Sequence, residues 1–313
     1  MEKMSNQLVS IIIVTAGVKD YLWQCLDSLK EQTYPHLENI VIDNSQISDF
    51  RQKISQDYPL IKVYPGAKSL SYCQGLNKGI ELSKGNFILC LNDDAALDRK
   101  FIEEALRGFL VNSRLGMVSG KILRPDVKTI DSTGLFLTFY RTAKERGYGL
   151  RDDGQFEKKG HIFGVCGAAA FYRREMLEDV KEKDYFDPDF HFFYEDLDIA
   201  WRAHRKGWKG FYVPTAICYH ARGASARLSK GLNKPYARVY LNDTLHVDLI
   251  KNRYLAIIKN ESLTGLLIHG PAILLYDLCA WSWCLLFRPA SVGLFFKNLQ
   301  YLKDAIKERI VRK

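Results

Sequence analysis

The 313 residues hold no Cys-x-x-Cys pair, no internal repeat and no low-complexity tract. Near the N-terminus, Leu8 to Val14 is an apolar run of only seven residues, broken by Ser10. It is too short for a secretory leader and no small-residue cleavage site follows, so no signal peptide is expected. The seven cysteines (Cys25, Cys73, Cys90, Cys166, Cys218, Cys279 and Cys284) are odd in number and scattered, which argues against a disulfide scaffold. Most sit in apolar runs such as Phe87–Leu91, where cysteine packs as a small hydrophobe. Reduced thiols and a cytoplasmic location are the expectation.

What is present is an ordinary globular composition, 47% hydrophobic and 26% charged, which excludes disorder and collagen. The length suits one large α/β domain with an appendage, or two modest domains. The net charge of +9 is unevenly placed. Residues 1–221 balance 30 Lys/Arg against 30 Asp/Glu, while residues 222–313 carry 15 against 6. A basic final third suggests an anionic partner surface there, membrane or nucleic acid.

Ser10–Thr15 is a continuous β-branched run, the pattern of a strand buried on both faces. Leu22, Cys25, Leu26 and Leu29 then mark a helical stripe, and Asn39–Ile42 a second buried strand closing on Asp43-Asn44-Ser45. Residues 46–58 look helical and Ile61–Tyr64 strand-like; a Gly75–Gly79 segment opens into a helix through Leu82. Phe87–Leu91 is another buried strand, ending in Asn92-Asp93-Asp94. This alternation predicts βαβ units and an open parallel sheet, whose strand ends are where ligands sit. After residue 110 the pattern loosens, and Thr138–Tyr148 is expected to be mobile. Gly164–Phe171 restores order, followed by a helix with Ile199, Ala200 and Ala203 inward.

Two acidic clusters carry the chemistry. Asn92-x-Asp94 at a strand end suits Mg²⁺ or Mn²⁺, which take oxygen ligands from one or two carboxylates plus phosphates. It is equally good turn and N-cap chemistry. Tyr194-Glu195-Asp196-Leu197-Asp198 crowds three acids at a helix start, which either complements the helix dipole or raises one carboxyl into use as a base. His220 is open to a structural, ligand or catalytic role.

In this order, these residues resemble the inverting glycosyltransferases of family 2, over about residues 8–225. The resemblance runs through Ser10–Thr15, Asp43-Asn44-Ser45, Gly75–Gly79, Leu91–Asp94, Cys166–Ala169, Glu195–Arg202, Gly207-Trp208 and His220. It implies an α/β, GT-A fold, Rossmann-like, with a mostly parallel sheet flanked by helices. It also implies Asp196 as catalytic base, with Glu195, Gly167 and Ala168 at the acceptor. Thr15, Asp43, Asn44, Asn77, Asn92 and Asp93 would bind the nucleotide, and Asp94 and His220 the Mg²⁺ or Mn²⁺. Arg202, His220 and Arg222 would face the diphosphate. Relatives usually carry an aromatic residue and Asn after the first strand's Thr; this chain has Ala16-Gly17-Val18.

Leu263–Phe287 has one acid, Asp277, and no Lys or Arg, but Pro271, Gly270 and His269 interrupt it. Trp281 and Trp283 suit an interface, and a basic tail follows with Lys297, Lys303, Lys307, Arg309, Arg312 and Lys313. An element lying on the cytoplasmic leaflet is expected; a buried hairpin or homodimer interface and a transmembrane span are the alternatives. Residues 1–235 are therefore expected to form the catalytic domain, with the nucleotide-sugar half to about 110 and the acceptor half over 111–235. Residues 236–313 would form a helical, membrane-associating region. Chains with this kind of tail resemble rhamnosyltransferases that extend polyprenyl-diphosphate-linked glycans, which implies a dTDP-rhamnose donor; a UDP-sugar is the alternative. Nucleic acid is not expected as a partner, because the basic residues accompany a Trp/Leu-rich stretch rather than an aromatic groove.

Overall fold

The computed structural model describes residues 6–17, 20–45, 47, 49–66, 70–222 and 241–311. The first half alternates strand and helix: β1 (Val9–Thr15), α1 (Asp20–Lys30), β2 (Leu37–Asp43), α2 (Phe50–Asp57), β3 (Ile61–Pro65), α3 (Tyr72–Leu82) and β4 (Phe87–Asn92). β1 pairs in parallel with β2 and β4, and β2 with β3. Ile11 and Ile13 bury on one face of β1 with Leu22, Leu26 and Phe50, while Ile12 and Val14 bury on the other with Cys73, Leu76 and Ile80. Each such side chain contributes about 1.5–3 kcal/mol by leaving water. That two-sided burial explains why the strands read as unbroken apolar runs.

The Gly75–Gly79 segment lies inside α3, which begins earlier than the sequence suggested, at Tyr72 behind a Ser71/Gln74 capping box. The two glycines face β1. A Cβ at Gly75 would come within 2.7 Å of Val14 Cγ1, and one at Gly79 within 2.3 Å of Ile12 Cγ2. They let the helix lie directly on the strand.

The second half contains β5 (Ala95–Leu97), α4 (Phe101–Phe109), β6 (Leu115–Leu123), β7 (Ile130–Ser132), β8 (Leu135–Leu137), β9 (Ala143–Glu145), β10 (Gly160–Ile162), β11 (Ala169–Arg173), α5 (Arg174–Val180), α6 (Glu195–Arg205) and β12 (Lys209–His220). The main sheet runs β10-β12-β6-β11-β4-β1-β2-β3, with β5 on β12 and β7 on β6. Among the described residues, β3-β2-β1-β4 and the β12–β6 pair are parallel, and β11 runs antiparallel to both its neighbours. The sheet is therefore mixed, parallel through its N-terminal strands and antiparallel around β11. Thr138–Tyr148, expected to be mobile, includes β9, which pairs with β8 as a hairpin.

Among the described residues, β12 is followed by the helices α7 (Asp243–Asn260), α8 (Leu263–Phe287), α9 (Pro289–Lys297) and α10 (Leu299–Val311). α8 continues through Pro271 and is long and apolar enough to cross a membrane. Its Asp277 is answered by the buried Arg253 of α7 at 2.5 Å. The domain boundary expected at 235, together with Val18, Arg312 and Lys313, lies outside the described residues.

Candidate active site

The parallel register brings Thr15 level with Asp43, and Val14 level with Asn92, so three strand ends meet at one edge. Beyond Asn92 the chain turns through Asp93-Asp94 into β5, which pairs antiparallel with the end of β12. That pairing sets His220 opposite Ala95 and brings its Nε2 to 3.2 Å from Asp94 Oδ1. Thr15 Oγ1 donates to Asp93 Oδ2 at 2.8 Å, and Tyr72 Oη to Asn92 Oδ1 at 2.8 Å.

Behind His220 stands a residue the sequence did not single out. Asp131, fully buried on β7, pairs with His220 Nδ1 at 2.8 Å and with the guanidinium of Arg222. Arg124 reaches the same carboxylate at 3.6 Å. Burial opposes charge on Asp131, yet Arg222 and His220 hold it down to about 2. Burial likewise opposes charge on His220, but Asp131 and Asp94 outweigh it and lift the imidazole to about 9. The carboxylate behind the ring fixes its orientation and turns Nε2 toward Asp94.

The other wall is the turn before β11 and the start of α6. Gly167 N donates to Asp196 Oδ2 at 3.0 Å, and Leu197 N to Asp196 Oδ1 at 2.8 Å. Glu195 Oε2 is buried without a hydrogen-bond partner. Burial raises both carboxyls, and Asp196 adds repulsion at Glu195. Backbone donors favour charge on both, and the repulsion falls on Glu195 alone, so the proton of the pair belongs to Glu195. Glu145, at the end of β9, adds a third half-buried carboxyl, raised by desolvation and by Asp196 to about 7.

The run leading into α6 is strained. His191, Phe193 and Tyr194 have φ of 50°, 71° and 72°, the left-handed region, at about 1–3 kcal/mol each.

These groups line one cleft of about 480 Å³. Of the residues the sequence nominated, Thr15, Asn44, Asn92, Asp93, Asp94, Gly167, Ala168, Glu195, Asp196, His220 and Arg222 all line it. Asp43 does not line the wall: it is buried at the end of β2, where Ser45 N donates to it at 2.9 Å. Two nominations are corrected. Arg202, expected at the diphosphate, is buried away from the cleft and spends its donors on Asp198 (2.9 Å), Val180 O (2.8 Å) and Tyr185 O (2.7 Å). Asn77, expected at the nucleotide, exchanges both halves of its amide with the backbone of Phe186, at 2.7 and 2.8 Å. Both are structural ties rather than ligand groups. The sequence also missed Tyr72, Glu145 and the Phe192-Phe193 pair on the cleft wall.

Asp94 and His220 offer one carboxylate and one imidazole side by side; no group of three metal-type ligands forms among the described residues. That donor set fits Mn²⁺ or Mg²⁺ completed by phosphate oxygens and water.

The sequence matches the family described as Glycosyl transferase family 2 over residues 10–181, and the chain belongs to that family. The poly-beta-1,6-N-acetyl-D-glucosamine synthase of Staphylococcus epidermidis is 22% identical over 218 residues, covering 67% of this chain and 49% of its own length. The chain thus spans about half the length of the first curated relatives it matches. EpsH of Bacillus subtilis, classed as a glycosyltransferase, is 23% identical over 281 residues, covering 88% of this chain and 78% of its own. Two solved structures share the fold. GalNAc-T7 with UDP, GalNAc and Mn²⁺ has a TM-score of 0.58 at 13% identity, covering 84% of this chain and 54% of its own. The mannosyltransferase PcManGT of Pyrobaculum calidifontis, in complex with GDP-Man and Mn²⁺, has 0.51 at 18%, covering 98% and 88%.

Proposed function

We propose that the chain transfers a sugar from a nucleoside-diphosphate donor to an acceptor hydroxyl in a single, inverting displacement with Asp196 as base. One observation carries this: Asp94 with His220, and Glu195 with Asp196, line the same cleft from distant parts of the sequence. Asp94 and His220 would hold the divalent cation, which when bound neutralises charge on the departing diphosphate. Thr15 and Asn44, with Asp43 behind them, would orient the nucleotide, and Arg222 offers a fixed positive charge on the cleft wall. Asp196 takes the acceptor hydroxyl's proton as its oxygen attacks, while Gly167 N and Leu197 N hold the carboxylate in place. Glu195, keeping its proton, donates to the acceptor.

For the donor we favour a UDP-linked N-acetylhexosamine. The staphylococcal relatives are named for N-acetylglucosamine and one structural neighbour was solved with UDP, whereas none of the four names carries rhamnose. The acceptor we infer is a growing glycan at the inner membrane face, such as one on a polyprenyl diphosphate. Its support is α8: Ile273 and Cys284, about three turns apart, are its buried residues. Leu267, Leu274, Leu275, Leu278, Leu285 and Leu286 are between 61% and 80% exposed. An apolar face about 37 Å long beside a basic tail suits an anionic leaflet.

Thermal-shift titration with UDP-, dTDP- and GDP-sugars plus Mn²⁺ tests the donor. The matching nucleotide adds about 2.7 kcal/mol of stability at a hundredfold excess over its Kd. UDP compounds should give the largest shift. No shift with any nucleotide would overturn the proposal.

A further inference from the structure

α7 follows the catalytic fold in sequence yet reaches into the cleft's construction. Leu245 and Asp248 line the cleft itself. Deeper along the helix, Asn252 is fully buried and its Nδ2 is ringed by three carbonyls: Phe190 O, Phe192 O at 2.7 Å and Phe193 O at 2.8 Å. Lys251 Nζ donates to Asp189 O at 2.5 Å, and Asn260 Nδ2 to Asp198 Oδ1 at 2.7 Å. These contacts grip both sides of Glu195-Asp196, and the Asn252 contacts fall on the segment with left-handed backbone at His191, Phe193 and Tyr194.

A strained bend persists only where its surroundings over-determine it. Phe192 and Phe193 line the cleft with their rings 5.1 Å apart, while Phe190 and Tyr194 on either side of them are buried in the core, so the backbone between is pinned at both ends and turned in the middle. The bend turns these carbonyls inward; Phe190 O also accepts from Phe192 N at 2.5 Å, and leaving buried carbonyls without a donor would be costly. Asn252 is the donor they share.

We propose that Asn252 is a positioning residue for the transfer reaction: by binding the Phe190, Phe192 and Phe193 carbonyls it fixes the bend that aims the Glu195-Asp196 pair and shapes the acceptor wall. The proposal rests on Asp196 being the base. The helical region is then part of the catalytic apparatus as well as a carrier of the apolar helix α8.

The test compares full-length Asn252→Leu, which keeps the forked shape without the donors, and Asn252→Asp, which sets a carboxylate against the carbonyls, with Asp243→Ala. Asp243, the first residue of α7, binds Arg288 and Ser291 and is not among the residues lining the cleft. The readouts are UDP release from UDP-N-acetylglucosamine at saturating donor with Mn²⁺, UDP affinity, and amide hydrogen exchange over residues 190–197. Both Asn252 variants should lose at least tenfold in UDP release per folded molecule, hold UDP within twofold of the wild-type Kd, and exchange faster over 190–197. Asp243→Ala should lower the melting temperature without changing release per folded molecule or exchange in that segment. Unchanged exchange over 190–197 in both Asn252 variants would overturn the proposal. So would losses of release and UDP affinity in parallel. A wild type that releases no UDP contradicts the proposed donor or the transfer itself; the exchange comparison still decides whether Asn252 holds the bend.

Discussion

The amide of Gly167 points at Asp196, 3.0 Å from Oδ2, so the turn that opens β11 holds the carboxylate at the start of α6. A Cβ on residue 167 would lie 3.3 Å from Glu195 Oε1 and 3.4 Å from Asp196 Oδ2, close against both acids. A bare backbone is what lets a donor approach a carboxylate pair this closely. The bond favours the charged form of Asp196 against the burial that disfavours it, and leaves Glu195 to carry the proton.

The pH dependence follows from that division. Burial raises Asp196 to about 6, and a base works only when deprotonated. Turnover at saturating donor should therefore fall tenfold per pH unit below about 6, well above the range of an ordinary aspartate. A plateau persisting down to pH 4 would remove Asp196 from the rate.

Glu195→Gln tests the partner through stability. Glu195 is raised to about 8 by burial and by Asp196, so the folded protein binds that proton more tightly than the unfolded chain does. Its contribution is complete below the unfolded value and is lost as pH rises through the folded one. Glutamine imitates the protonated form: the variant should melt with the wild type at pH 4 and increasingly above it as pH rises to 9. Equal melting at both pH values would place Glu195 in water.

Asp131→Asn addresses the group behind His220. Removing a carboxylate that holds a ligand histidine typically weakens metal binding by 10–100-fold. Mn²⁺ titration should show that loss, with a lower melting temperature because Arg222 and His220 lose a buried counter-charge. An unchanged Mn²⁺ affinity would separate His220 from the metal.

The exposed face of α8 can be tested without truncation. Leu274→Asp with Leu278→Asp should abolish binding to anionic liposomes and leave UDP release intact, because neither residue lines the cleft. If the doubly substituted protein instead changes from dimer to monomer while still binding liposomes, the face is a subunit interface.

The first half of the fold was legible because its strands are buried on both faces: Ile11 to Ile13 and Phe87 to Leu91 read as unbroken apolar runs. β6 and β12 were not read, although β6 is wholly buried, because Gly116, Ser119, Gly120 and Lys121 dilute the first and Pro214 and Thr215 interrupt the second. Asp94 and Asp196 could be nominated because they sit at a strand end and a helix start that the pattern shows, whereas His220 rested on the family resemblance. Asp131 could not, since it lies on a three-residue strand whose neighbours give no period, and its importance comes wholly from what the sheet brings beside it. Arg202 and Asn77 misled because a buried structural tie and a ligand contact select the same polar side chains. Asn252 was hidden in a helix whose polar residues, Lys251, Asn252, Arg253, Lys259 and Asn260, face inward instead of toward solvent.

Turnover of Asp196→Asn, measured as UDP release at saturating UDP-N-acetylglucosamine with Mn²⁺ and compared with UDP affinity in the same variant, bears on the role of Asp196 most directly. Asparagine keeps the size of the side chain and cannot take the acceptor's proton. Release should fall by about 10²-fold or more while UDP affinity stays within twofold of wild type. Release near the wild-type rate would contradict Asp196 as the base.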